Sequence, residues 1–156
     1  MKKISPILLL TIGALGVAMI PSSTASKPRG IRNNNPLNIE DTGESWLGKV
    51  GNDGRFMVFE TAGHGLRAGA RILRTYRHKY GIKTIKDILN RFAPPSENNT
   101  QNYINFVSDK TGLPEDKDLT DNDYPAVLAA MVHLENGMNP YTPEQIQEGF
   151  IWGFYG

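Results

Sequence analysis

A chain of 156 residues with 39% hydrophobic residues, six Phe, six Tyr and two Trp suits one folded domain with a single core, which excludes a disordered chain and leaves little for a second domain. Its 17 basic residues stand against 16 acidic ones, a balance with no field to steer nucleic acid, so that partner is set aside. Cysteine is absent, which removes disulfides, thiolate catalysis and most structural zinc sites. His64, His78 and His133 show no ligand spacing, so neither a metal nor another cofactor is expected.

In chain order, Lys2 and Lys3, an apolar run to Ile20, helix-breaking Pro21 and small residues up to Ala25 make the pattern of a secretory signal. Cleavage after Ala25 is the first reading. An uncleaved membrane anchor through residues 4–20 is the second, the run being slightly short of the about 20 apolar residues that a spanning helix needs. Either one exports residues 26–156 to the periplasm or holds them at a membrane, outside the cytoplasm.

Residues 26–45, rich in Asn, Pro and Gly, predict an ordered turn-forming loop and no helix, because Asn side chains bond nearby backbone and tolerate left-handed conformations. The amides of Asn33, Asn34, Asn35 and Asn38, flanked by Arg29 and Arg32, either read the hydroxyl and acetamido groups of a sugar or bond the loop to itself. Residues 46–50 and 55–59 then predict a hairpin about a four-residue connection, Gly51 to Gly54. From Thr61 the period becomes helical, with Leu66, Ala70, Leu73, Tyr76 and Tyr80 on one face and Arg67, Arg71, Arg74 and Lys79 on a solvated one, up to Gly81.

A short helix capped by Thr84 carries Ile85, Ile88, Leu89 and Phe92 inward, and Pro94 and Pro95 break it. Thr100 opens a third helix, stopped at Gly112. The charged run Glu115 to Asp118 predicts a solvent loop with nothing apolar to hold it to a core. Asp123 and Pro125 start a fourth helix with Val127, Leu128, Met131 and Leu134 inward. Thr142 and Gln145 form a capping box around Pro143 for a brief last helix. The aromatic tail from Phe150 to Tyr155 either packs on the core or presents a sticky surface. The elements sum to an α+β fold, mainly α, with one small antiparallel hairpin.

The fourth helix ends in Glu135, Asn136 and the stop residue Gly137. A carboxylate on the last turn of an apolar helix faces the negative end of the helix dipole and is partly shielded from water, and both effects disfavour its ionised form. That is how an acid able to protonate a leaving group near neutral pH is made.

Taken together, the run Arg29 to Ile39, Trp46 with Gly48, the strand Phe56 to Phe59, Gly65 to Ala68, Ala93 to Tyr103 and His133 to Gly137 resemble a group of bacteriophage virion and lysis proteins with a lysozyme-like fold. The resemblance covers nearly all of the chain after residue 25. A broader similarity is to lytic transglycosylases and flagellar-type N-acetylglucosaminidases. In those a helix ending in Glu-Ser-Gly precedes an Asn-rich loop, a small sheet and a helix with a sugar-facing Tyr; here the acid arrives last, as if permuted.

The resemblance implies cleavage of peptidoglycan glycan strands between N-acetylmuramic acid and N-acetylglucosamine, with Glu135 as acid and then base. Asn35, Asn38, Glu97, Asn98 and Tyr103 are the substrate-binding residues it suggests, Tyr103 being equally readable as core. Glu44, in Glu44-Ser45-Trp46, ranks second as the acid and Glu97 third. A two-carboxylate hydrolase needs a partner about 5 to 9.5 Å from the acid; Asp53 and Glu97 are the candidates, and a single-acid transglycosylase route fits better. His133 is read as structural. Partners implied are the glycan strand, virion proteins and, through residues 4–20, a membrane. The rival reading is a virion or wall-binding protein that keeps the shape without the activity.

Overall fold

The computed structural model describes residues 26–156, so the expected signal or anchor falls outside the described residues. The chain forms α1 (Arg29–Arg32), the strands β1 (Lys49–Asn52) and β2 (Met57–Phe59), and then α2 (Ala62–Tyr80), α3 (Ile85–Phe92), α4 (Thr100–Thr111), α5 (Tyr124–Asn136) and α6 (Pro143–Phe154). It is mainly helical with one two-stranded antiparallel sheet, the class its periodicities predict. Among the described residues no helix is long and apolar enough to cross a membrane.

The Asn-rich loop contains one helical turn, α1, where none was predicted. Pro28 precedes it, and the Arg32 and Asn33 N–H groups close the turn on the Pro28 and Arg29 carbonyls. The expected left-handed residues follow, Asn34 at φ 49° and Asn38 at φ 47°. Three of the four amides hold the loop to the hairpin. Asn33 donates to Asp53 at 2.8 Å, Asn34 to the Phe59 and Glu60 carbonyls, and Asn35 to Ile39 and Met57.

The hairpin keeps its four-residue connection but moves it two residues on, to residues 53–56. Asn52 pairs with Met57 and Lys49 with Phe59, and Trp46 lies in the turn before β1. Asp53 explains the shift, since its N–H donates to the Phe56 carbonyl while its carboxylate accepts from the Arg55 and Phe56 N–H groups.

Helix α5 is the centre of the domain, buried on nearly every side through Tyr124, Val127, Leu128, Ala130, Met131 and Val132. The longest helix, α2, packs along α6. A Cβ on Gly149 would stand 2.5 Å from the Leu66 Cβ, and one on Gly153 only 2.3 Å from the Arg67 carbonyl oxygen, so the two backbones are nearly in contact. This packing explains why α6 is not brief but runs through the aromatic tail. Phe150 stacks on Tyr124 and Phe154 meets the same ring at a tilt in the core, while Ile151, Trp152 and Tyr155 face outward. Gly153→Ala is expected to cost about 3 kcal/mol and to lower the melting temperature by roughly 10 °C, which calorimetry would read.

Two smaller expectations change. Tyr80, assigned to the core face of α2, is 44% exposed because it stands on the last turn, beyond the contact with α6. The 115–118 loop is pinned after all, by buried Leu119 and by the Lys86 and Leu119 N–H groups bonding across to Glu115 and Lys83.

Candidate functional site

Gly137, at φ 69°, stops α5 as predicted and leaves Glu135 on its final turn. Because α5 is central, that turn lies inside the domain: Glu135 is 7% exposed, the one buried ionisable acid or base among the described residues apart from tyrosines. Its Oε2 accepts a hydrogen bond at 3.1 Å from the amide of Asn38, which the chain brings from 97 residues away. Oε1 is buried without a partner among the described residues. Burial pushes the carboxyl from 4.5 up to about 8, against the smaller opposing pull of the Asn38 amide.

The surrounding side chains of the described residues offer Oε1 no donor. Asn136 spends its NH₂ on the Pro36 and Val132 carbonyls. Among the described residues the side-chain carbonyl oxygens of Asn38 and Asn136, like Glu135 Oε1, are buried with no donor to them. A pocket with surplus acceptors is hostile to a carboxylate and suits a carboxyl that carries its own proton.

Gly30 of α1 closes this pocket. A Cβ there would stand 2.4 Å from Asn136 Oδ1, 2.8 Å from the Asn35 carbonyl oxygen and 2.9 Å from Asn38 Oδ1. Gly30→Ala is expected to cost about 2 kcal/mol and to push the Asn38 amide off Glu135. With that hydrogen bond gone, the Glu135 titration followed by carbon NMR moves up from about 8.

The remaining sequence-predicted residues part company. Asn35 is fully buried, and both ends of its amide are taken by the backbone of Ile39 and Met57. It positions the loop and cannot also bind a ligand. Tyr103 lies in the core at 6% exposure. Asn98 is half-buried and donates to the Pro94 carbonyl at 3.3 Å. For Asp53, burial pushes the carboxyl up, but the Phe56 N–H, the Asn33 amide, the Arg55 N–H and Arg29 outweigh it and hold it below the usual range; it is the keystone of the hairpin. His133 packs its ring 5.4 Å from Phe106, and burial, helped by Lys110, lowers its pKa.

Glu44 and Glu97 line a cleft of about 640 Å³ between the 42–46 segment and helices α2 and α3, with Trp46, Tyr76, Tyr80 and Arg91. Glu135 is not on its wall. Sequence reading missed Gly30 and Asn136 as packing around the acid, and it missed the cleft. The only signal for the cleft was the four-residue spacing of Arg67, Arg71, Thr75 and Lys79.

Over an alignment of 161 residues that spans both chains completely, this sequence is 53% identical to protein P5 of Pseudoalteromonas phage PM2. The chain belongs to that family of phage proteins. No protein-family model matches it. Identity of this degree over full length gives that relative the same fold.

Proposed function

We propose that this phage-family protein is a peptidoglycan-cleaving enzyme, a lytic transglycosylase or muramidase with a lysozyme-like fold, acting on glycan strands on the way into the host or at lysis. The observation that carries the reading is the buried, proton-holding carboxyl of Glu135, fixed by Asn38 at the end of the central helix. A carboxyl that stays protonated at neutral pH is a general acid matched to a glycosidic oxygen.

With Asn38 donating to Oε2, the proton sits on Oε1 and is delivered to the oxygen linking the two sugars, and the C1–O bond breaks. The resulting carboxylate then takes a proton back, from the sugar's own 6-hydroxyl as it closes on C1 or from a water that attacks C1. The first route needs no second carboxylate, which agrees with Asp53 being committed to the hairpin. The strand must reach an oxygen that is enclosed in the free protein, so binding has to displace what covers it.

That same enclosure favours the second reading, a virion or wall-binding protein in which neutral Glu135 is only a packing group. Digestion of purified sacculi separates them. The enzyme releases soluble muropeptides, with anhydro ends for the transglycosylase route and free reducing ends for the hydrolase. No soluble product from folded protein would overturn the catalytic reading.

A further inference from the structure

Arg67, Arg71, Thr75 and Lys79 recur every fourth residue and so form one stripe along α2, about 18 Å long at the helical rise. The stripe forms one side of an open groove. A pocket of about 370 Å³ over Arg67, Arg71 and Thr75 meets the larger cleft over Thr75 and Lys79, and the two share Glu44 and Trp46 on the opposite wall. The result is one groove that follows the helix.

At its far end the cations are prearranged. The Arg91 guanidinium lies 3.8 Å from the centre of the Tyr80 ring and 5.4 Å from that of Tyr76, and the Lys79 ammonium lies 5.4 Å from Tyr80. Neither cation is in an ion pair with a carboxylate of the described residues, whose pairs involve Arg29, Lys49, Arg55, Arg77, Lys83 and Lys117. Stacking holds the guanidinium without consuming its five N–H donors, the geometry that receives a carboxylate in two parallel hydrogen bonds.

We propose that this groove binds a carboxylate-bearing glycan strand, and that Arg91 and Lys79 at Tyr80 select strands that carry carboxylates over neutral ones. A net charge of +1 gives nucleic acid no general attraction. The choice of peptidoglycan as the polymer rests on the reading of the protein as a wall enzyme; the preference for carboxylate does not.

The test uses the full chain carrying Glu135→Gln, so that bound polymer is not consumed, and compares its binding to purified sacculi and to chitin. The parent is expected to prefer sacculi by about tenfold, and adding Lys79→Ala with Arg91→Ala to remove that preference while chitin binding stays the same. Amidating the carboxyls of the sacculi has the same levelling effect on the parent. Both side chains are exposed, so the fold tolerates their loss, which circular dichroism checks. A preference untouched by the double substitution, or tighter binding of single-stranded DNA than of sacculi, overturns the inference. An Arg91-dependent preference in a protein whose wild type releases no muropeptides upholds the groove and removes only the catalytic reading.

Discussion

Glu135→Gln is expected to lower the rate of wall-glycan cleavage by about 10²- to 10⁴-fold and to leave a folded protein. The two halves of that result have one cause. In the native pocket the side chain is already neutral, with burial holding its pKa near 8, so glutamine reproduces its shape and keeps an oxygen for the Asn38 amide while removing the transferable proton. A loss of activity therefore reports on the proton and not on a collapsed site. The wild-type rate should also fall as pH rises through about 8, where the acid loses its proton. Turbidity clearing of sacculi from pH 5 to 9 measures both effects. A substituted protein that clears sacculi at the wild-type rate would remove Glu135 from the reaction and turn attention to Glu44 and Glu97 on the cleft.

The parts of this fold that local chemistry dictates are the parts the sequence discloses. Thr61, Thr84 and Thr142 cap α2, α3 and α6 through their hydroxyls, and Gly81, Gly112 and Gly137 end helices in left-handed conformations; each is a rule about two or three neighbouring residues. Tertiary contacts decide the rest. Gly149 and Gly153 weaken a helix by propensity, yet α6 continues through both because their missing Cβ atoms admit the α2 backbone. Asn33, Asn34, Asn35 and Asn38 are indistinguishable by composition, yet three bind the hairpin and one binds the acid. Glu135 itself was legible from the helix-end pattern, but its depth was not. The depth follows from α5 being central, which no spacing within α5 reveals. Lys79 and Arg91 come to share Tyr80 only when the chain brings Arg91 of α3 over the end of α2, so the link between them is not legible from either helix alone.

The same acid gives the protein an unusual pH dependence of stability. Unfolded, Glu135 titrates near 4.5; folded, near 8. Below 4.5 the group is neutral in both states and burial costs nothing through its charge. Between the two values only the native state holds the proton, so each pH unit upward lowers unfolding free energy by about 1.4 kcal/mol, and the whole window removes on the order of 5 kcal/mol. Above 8 the native state too must carry the charge, and the loss is complete. On the acid side the opposite sign applies. The Lys49 ammonium and the Gly43 N–H hold Asp41 down to about 2, and Lys117 with the Thr120 N–H lowers Asp123, so those contacts weaken as pH falls through the carboxylate range. Wild-type stability should therefore peak near pH 4 to 5, below the range usual for a folded domain. Glu135→Gln removes the alkaline limb alone: equal to wild type at pH 4.5 in urea unfolding, it should be the more stable protein by pH 8. Parallel stability curves for the two proteins across that interval would mean that Glu135 is charged in the fold, and neither its packing nor its proposed chemistry would then stand.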